Sequence, residues 1–281
     1  MTRLLIVNAD DYGLTAGVCR AIVRAHRDGI VTSTSALALG PAFETCASLL
    51  NDVPDLGVGA HLAVVGEDRP LLGESEIPSL VDSDGRLALS WRRFLPRAFG
   101  GRIDIADLRR ELGAQLDAVC AALPGRTLTH LDTHQHLHLW PPFGSVLIEL
   151  ARERGIAAVR VTRSVGRGGR AIVVNRLARR FDTKAIAAGL RTTDAFAGFD
   201  EGGTLATEAL VRTIDRLGAT QAQSVEIGIH PGEHDDKDLD RYEWGYRWGD
   251  ELDALVSTEA RAAVERNDFT LDSYAALGAT R

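Results

Sequence analysis

Residues that could carry out acid–base or metal chemistry lie at the ends of four short apolar runs of this sequence. Asp10 and Asp11 come just after the first run, and His61 lies at the end of the second. The third run leads into the His-rich segment 130–138, and His230 follows the fourth. Because the carboxyl ends of parallel strands meet at one rim of an α/β fold, these side chains are expected to lie close together. Two adjacent carboxylates and several imidazoles at one rim predict a metal-dependent hydrolase.

The adjacent pair Asp10 and Asp11 favours a cation-binding role. Two carboxylates this close resist joint ionisation unless a cation or hydrogen bonds compensate their charge. The alternative is that they cap the helix that follows, since Asp is common at turns. One capping residue would suffice, however, and Thr15 is already a good N-cap.

The spacing of His134, His136 and His138 is that of alternate residues on a strand, which predicts that all three imidazoles lie on one face. Imidazole nitrogens beside a carboxylate suit zinc or another divalent ion, although not all three histidines need to bind it. The alternative is a polar pocket packed against Trp140. His61 is weak evidence on its own, and it gains weight because it lies at a strand end like the other candidates.

The composition is that of an ordinary globular protein, with a formal net charge of −7 over 281 residues. This balance argues against a nucleic-acid partner, which needs a concentrated basic surface. Three cysteines without a CxxC spacing indicate a reducing compartment, and no apolar run reaches the ~18 residues of a membrane span. We therefore expect a cytoplasmic protein.

One basic stretch is interpreted mostly as a solvated helix face and in part as a contact for an anionic substrate group. Its arginines are Arg160, Arg163, Arg167, Arg170, Arg176, Arg179, Arg180 and Arg191.

Strand-like and helix-like segments alternate along the chain, which predicts βαβ units and a parallel sheet. One α/β domain over residues 1–281, with seven or eight such units, is the simplest interpretation. The segment 64–103 breaks the alternation and is expected to be an excursion that forms a wall of the substrate site. The predicted strands are 4–7, 30–39, 58–62, 127–131, 159–162, 195–199, 225–229 and 269–271, and the predicted helices are 16–28, one that begins at Pro41, 104–123, 141–154, 204–217 and 250–266.

The loop 233–253 carries aromatic side chains at alternate positions. Aromatic rings in a charged loop near a strand-end rim could stack on the sugar rings of a substrate. They could equally pack the loop onto the barrel. These residues are Tyr242, Trp244, Tyr246 and Trp248.

Several common catalytic motifs are missing from the sequence. There is no GxSxG elbow, no GxxxxGK[ST] phosphate loop and no GxGxxG after the first strand. Asp10 and Asp11 occupy the place where a dinucleotide-binding fold would have its glycines, and their charge would repel a pyrophosphate. A nucleotide cofactor is therefore not expected.

Four motifs taken together resemble the YdjC-like carbohydrate deacetylases. They are Asn-Ala-Asp-Asp-Tyr-Gly at 8–13, Gly-Ala-His-Leu at 59–62, the segment 130–138, and His-Pro-Gly at 230–232. The resemblance extends from residue 3 to about residue 277 and includes the Arg-Trp-x-x-Glu-Leu pattern at 247–252. It implies a distorted (β/α) barrel and hydrolysis of an N-acetyl group from an amino sugar.

By motif match, the resemblance implies that Asp11, His61 and His134 hold one divalent metal ion, either magnesium or zinc. It also implies that Asp10 is the general base and that His230 is a candidate general acid. Two imidazoles and one carboxylate favour zinc on chemical grounds. The predicted substrate-binding residues are His136, His138, Arg163 and Trp244.

Two other functions remain open at this point. A barrel phosphoesterase would use His/Asp clusters for two or three metal ions and would give the Arg163 region a role. A non-catalytic, metal-stabilised sugar-binding protein would have no need of Asp10 beside the ligand Asp11. The predicted partner is a small carbohydrate substrate, and assembly as a homodimer is left open.

Overall fold

The computed structural model describes residues 3–277, in which seven parallel strands form a curved sheet with helices around it. All strand pairings are parallel, as the alternation of strands and helices predicted. The strands are β1 (Arg3–Tyr12), β2 (Ser33–Ala36), β3 (Gly57–Leu62), β4 (Leu131–Thr133), β5 (Ala195–Ala197), β6 (Ser224–Ile229) and β7 (Phe269–Leu271). The helices are α1 (Ala16–Arg27), α2 (Phe43–Cys46), α3 (Trp91–Phe99), α4 (Ile105–Ala122), α5 (Pro141–Glu153), α6 (Gly169–Ala187), α7 (Thr207–Gly218), α8 (Trp248–Val256) and α9 (Thr258–Arg266).

The strands follow the order β4-β3-β2-β1-β6-β5, and β7 pairs with the first residues of β1. Isolated bridges extend the sheet from β4 towards β5 through the segment around Val159. Leu131 of β4 pairs with Val159, and Ala158 pairs with Arg191, which lies just before β5. The sheet therefore curves back towards itself, which confirms the predicted distorted (β/α) barrel. That residues 1–281 make up a single domain remains a prediction.

The central strand β1 is buried along nearly its whole length, because strands of a parallel sheet are covered on both faces. After β1 the chain turns at Thr15, whose side chain accepts the backbone N–H of Val18 and caps α1, as predicted. Among the residues described, no helix has both the length and the apolar character needed to cross a membrane.

Some elements differ from the predicted ones. The helix expected over 250–266 is divided into α8 and α9, because the Ser257 side chain accepts the N–H of Ala260 and starts a new helix. The segment 64–103 contains α3, which has no long apolar period and was not predicted. The strand expected at 159–162 is reduced to isolated bridges at Ala158 and Val159.

Candidate active site

Three side chains that could bind a metal ion meet at the carboxyl ends of the strands. Asp11 comes from β1, His61 from β3 and His134 from the turn after β4, and one ligand atom from each lies within 4.8 Å of the others. Asp11 Oδ1 lies 3.4 Å from His61 Nε2 and 3.2 Å from His134 Nδ1. Both Asp11 carboxylate oxygens are buried and have no hydrogen-bond partner in the part of the chain described. Since a buried polar atom is normally satisfied, this donor set fits a divalent cation.

The backbone of β1 explains how two neighbouring carboxylates reach one rim. Asp11 has a positive φ of 63°, which is uncommon for a residue other than glycine. The pairing of β1 with β2 shifts register between Ala9 and Tyr12, as at a β-bulge. The extra residue interrupts the strand alternation, so Asp10 and Asp11 both turn towards the site.

The charges in the cluster suit a cation. Burial by itself would raise the pKa of Asp11, but His134 and His61 beside it hold that pKa well below its usual range. Burial would lower the pKa of His61, but the carboxylates of Asp132 and Asp11 raise it to about 9. A cation that binds His61 therefore competes with a proton for the same nitrogen.

Asp132 orients His61 and was not among the predicted site residues. Its Oδ1 accepts a hydrogen bond of 2.8 Å from His61 Nδ1, which leaves His61 Nε2 directed towards Asp11. A carboxylate behind a histidine ligand fixes the ring and its tautomer in many metal sites. Its position two residues before His134 is the only sequence signal of this role.

A second group, Asp10, His61 and Asp132, also has metal-like spacing. The guanidinium of Arg160 already lies between its two carboxylates. Arg160 NH1 is 2.7 Å from Asp10 Oδ2 and 2.6 Å from Asp132 Oδ2. An arginine thus takes the cation position of this group, and the cluster around Asp11 is the candidate metal site.

Arg160 corrects one expectation from the sequence. The basic stretch that contains it is interpreted from the sequence mostly as a solvated helix face, but the Arg160 side chain is completely buried inside the barrel. It lies in the strand-like segment beside β4, where alternate residues point inward. Three carboxylates compensate its charge: Asp10, Asp132 and Glu226. Burial would lower the pKa of Arg160, but these carboxylates raise it well above the usual value.

The hydrogen bonds of Asp10 leave one of its oxygens with a free acceptor position. Asp10 Oδ1 accepts bonds of 2.7 Å from both Arg160 and Asn8. Asp10 Oδ2 accepts one bond of 2.7 Å from Arg160 and lies 3.8 Å from His230 Nε2. A carboxylate oxygen can accept about two hydrogen bonds. Asp10 Oδ2 therefore has one acceptor position left.

His230 lies at the end of β6, where Glu251 holds its backbone. The His230 N–H donates a 2.7 Å hydrogen bond to Glu251 Oε2, and the ring Nδ1 lies 3.9 Å from the same oxygen. Burial raises the pKa of Glu251 above its usual value. The partly exposed Tyr246 ring lies 4.7 Å from the His230 ring.

The expectation that His134, His136 and His138 share one face is wrong. Residues 134–139 form a kinked 3-10 segment in place of a strand, and His136 has a left-handed backbone with φ 56°. His136 lies at the partly exposed rim, 5.2 Å from the Phe199 ring. His138 is buried against Phe181, with Nδ1 2.7 Å from Thr133 Oγ1. Of the three, only His134 joins Asp11 and His61 in the candidate metal site.

The aromatic loop both packs onto the barrel and faces the site. Tyr242 and Trp248 are buried, whereas Trp244 and Tyr246 are partly exposed. The Trp244 ring lies 5.1 Å from the His134 ring, and Trp244 Nε1 donates a 3.0 Å hydrogen bond to Glu67. The loop after β3 and the aromatic loop are thus joined beside the candidate metal site.

Arg163 lies apart from the metal cluster. Its guanidinium forms an ion pair of 2.8 Å with Asp182 of α6. It also lines a groove of about 350 Å³ together with Arg179 and Arg216, and the lining residues include none of the metal cluster. A role for Arg163 in substrate binding stays a prediction.

Known proteins match this sequence over nearly its whole length. The sequence model of the YdjC-like protein family matches residues 4–266. A chitooligosaccharide deacetylase of Klebsiella pneumoniae (strain 342) is 33% identical over 98% of this chain and 99% of its own. A chitooligosaccharide deacetylase of Salmonella paratyphi B is 31% identical over 98% of this chain and 99% of its own.

Among solved structures, a protein of Enterococcus faecalis V583, described as a candidate cellobiose-phosphate cleavage protein, is 26% identical with a TM-score of 0.79. The match covers 98% of both chains. An uncharacterised protein of Agrobacterium tumefaciens C58 is 12% identical with a TM-score of 0.51, over 98% of this chain and 89% of that one. This second likeness shows the fold alone.

Proposed function

This chain belongs to the YdjC-like family of carbohydrate deacetylases, and we propose that it removes the acetyl group from an N-acetylated amino sugar or its oligomers by metal-assisted hydrolysis. The observation that carries this proposal is the cluster of Asp11, His61 and His134, with both Asp11 oxygens buried and unpartnered in the described chain. Asp10 and His230 lie beside this cluster and supply groups for proton transfer.

Asp11, His61 and His134 would hold the ion, and their two nitrogens and one carboxylate favour zinc over magnesium. When bound, a divalent ion in this position would act as a Lewis acid on the acetyl carbonyl and make water more acidic. Three protein ligands suit a catalytic site, because such sites keep a position open.

Asp10 would accept the proton of the attacking water through Oδ2. Its Oδ1 is fully engaged by Arg160 and Asn8, so Oδ2 is the oxygen with a free acceptor position. The bidentate contact with Arg160 fixes the carboxylate plane, which keeps Oδ2 aimed at one place. Arg160 is therefore a positioning residue for the base.

His230 would donate a proton to the departing amine. An amine leaves poorly until it is protonated, so an acid near the nitrogen is required. The His230 backbone is held by Glu251 and its ring is packed against Tyr246, which fixes the direction of the imidazole.

A substrate comparison tests the role of His230. Replacing His230 with Ala should slow the deacetylation of a sugar amide by about 10²-fold or more, the usual contribution of general acid catalysis. A nitrophenyl acetate ester has a leaving group that needs no proton, so its hydrolysis should fall much less. The measurement is kcat for both substrates in wild type and variant. Equal losses would assign His230 to substrate positioning or oxyanion stabilisation instead.

Trp244 is proposed to stack on a sugar ring of the substrate. Trp244→Ala should raise KM for a sugar oligomer by about tenfold, since an aromatic contact contributes about 1.5 kcal/mol. Trp244→Phe keeps an aromatic face but loses the hydrogen bond to Glu67, and it should keep most of the affinity. An unchanged KM in Trp244→Ala would show that the ring serves only to pack the loop.

Acetate release from N-acetylated amino-sugar oligomers tests the proposed function directly. The purified protein should release acetate. This activity should be lost after treatment with a chelator and should return when zinc or magnesium is restored. Phosphate release from sugar phosphates is measured in parallel, because a phosphoesterase is the other enzymatic candidate. Binding of the oligomer with no release of either product would favour a sugar-binding protein, for which Asp10 would have no use.

A further inference from the structure

A buried chain of hydrogen bonds connects the site to the last described turn of the protein. Arg160 Nε donates a 2.7 Å hydrogen bond to Glu226 Oε1, and the Tyr274 hydroxyl donates to Glu226 Oε2. These three side chains are essentially inaccessible to solvent. Neither Glu226 nor Tyr274 has a role in the proton transfers described above.

Glu226 and Tyr274 approach Arg160 from the amino-terminal side of the strands, whereas Asp10 lies towards their carboxyl ends. Glu226 lies on β6 and points into the barrel towards Arg160. Tyr274 follows β7 and packs with Leu4 and Ile6, near the amino-terminal ends of the strands. The chain of hydrogen bonds therefore runs through the barrel interior, from its base to its catalytic rim.

The planar guanidinium makes the contact at Nε consequential. Its N–H groups have a fixed geometry, so holding the Nε edge also fixes the directions of the two terminal nitrogens. One terminal nitrogen donates to Asp10 Oδ1, and the other contacts Asp10 Oδ2 and Asp132 Oδ2. Without Glu226, rotation of the guanidinium would change the orientation of the Asp10 carboxylate.

Tyr274 also contacts a second set of groups that leads to the metal cluster. Its ring stacks on His130 at 3.9 Å with an interplanar angle of 14°. His130 Nε2 lies 3.0 Å from Ser35 Oγ, and Ser35 donates to Asp132, which orients His61. The hydroxyl of Tyr274 thus supports the base, and its ring supports the partner of a metal ligand.

We propose that Glu226 and Tyr274 are positioning residues for the deacetylation, holding Arg160 so that its guanidinium aims Asp10 Oδ2 at the attacking water. This inference rests on the proposed function of the same site. It assigns Glu226 a geometric role as the hydrogen-bond acceptor of Arg160 Nε. A glutamine keeps an acceptor oxygen in that place, whereas a leucine of similar size does not.

The test compares Glu226→Gln with Glu226→Leu. We expect Glu226→Gln to keep kcat within about threefold of wild type, and Glu226→Leu to lose about ten- to hundredfold, because small misplacements of a catalytic group are costly. KM should change less than twofold in both, since neither side chain reaches the substrate. Equal kcat values in the two variants would overturn the geometric role.

Glu111 provides the matched control. It is fully buried in α4, accepts the backbone N–H groups of Leu71 and Leu72, and makes no contact with Arg160. Glu111→Leu should lower Tm while leaving kcat unchanged. If kcat fell in proportion to Tm in all the leucine variants, the effect of Glu226 would be one of stability alone, and the proposal would fail.

Tyr274→Phe and Tyr274→Leu separate the two contacts of Tyr274. The phenylalanine keeps the stack on His130 but loses the hydroxyl, so kcat should fall by several-fold with metal affinity unchanged. The leucine loses both contacts, so metal affinity should fall as well. Unchanged kcat in folded Tyr274→Phe would remove Tyr274 from the proposal.

A nuclear magnetic resonance readout keeps this inference separate from the proposed function. The Arg160 Nε–H signal, assigned by its loss in Arg160→Lys, should exchange slowly with water in the wild type because it is buried and bonded to Glu226. Exchange should accelerate in Glu226→Leu and stay slow in Glu226→Gln and Glu111→Leu. Equally slow exchange in Glu226→Leu would contradict the proposal, whereas absence of acetate release by the wild type would contradict only the proposed function.

Discussion

Replacing Asp10 with Asn is expected to lower kcat by roughly 10²–10⁴-fold while leaving metal binding nearly unchanged, because this is the usual contribution of a general base. The amide keeps the size of the carboxylate but cannot take a proton from water. In the proposed mechanism Oδ2 takes this proton, since Oδ1 already accepts hydrogen bonds from Arg160 and Asn8. The measurements are kcat for acetate release and the metal content of the purified variant.

The variant needs a check on folding, because an amide in place of Asp10 turns one donor towards the guanidinium. Arg160 keeps two other carboxylates, Asp132 and Glu226, so the fold should survive with some loss of Tm. Circular dichroism and Tm establish this before kinetics are compared. Loss of the metal together with activity would make Asp10 a ligand and place the base elsewhere.

Replacing His61 or His134 with Ala should remove most of the bound metal and nearly all deacetylase activity. Loss of an orienting partner alone typically weakens metal affinity 10–100-fold, so loss of a ligand should exceed that range. Asp132→Asn leaves the three ligands in place but weakens the hydrogen bond that orients His61. It should therefore lower metal affinity by about 10–100-fold. Metal content and metal affinity are measured in each variant after the metal has been removed with a chelator and added back, and they show which variants lose the most affinity.

His234→Ala is the matched control for these variants. His234 is an exposed histidine that pairs with Asp253 at 2.9 Å and takes no part in the metal cluster. It should retain wild-type metal content and activity. Full metal occupancy in His61→Ala and His134→Ala would refute the assignment of the cluster.

The order of elements and the rim of polar residues could be predicted from the sequence. Buried parallel strands appear as continuous apolar runs, and the polar residues that end each run must reach the rim where the strands end. Asp11, His61, His134 and His230 were placed there for that reason. The helix α1 was equally predictable, because its N-cap and its apolar period are local features of the chain.

The sequence did not predict the conformation of the His-rich segment. A spacing of two suggests a strand, but the left-handed residues Gln135 and His136 turn the chain after β4. His138 then packs into the core against Phe181, and His136 moves to the rim near Phe199. Residues spaced two apart lie on one face only where the backbone stays extended.

The sequence by itself determined which residue types reach the strand ends, because hydrophobic periodicity and strand-end position are local properties. Only the tertiary structure decided which charges pair inside the barrel. Arg160 resembles its neighbouring arginines in sequence, yet it alone among them is fully buried and meets Asp10, Asp132 and Glu226. These partners lie 28 to 150 positions away along the chain and come together only when the sheet curves into a barrel. A buried charge is tolerated only with such partners, so its place depends on long-range contacts that no local pattern records.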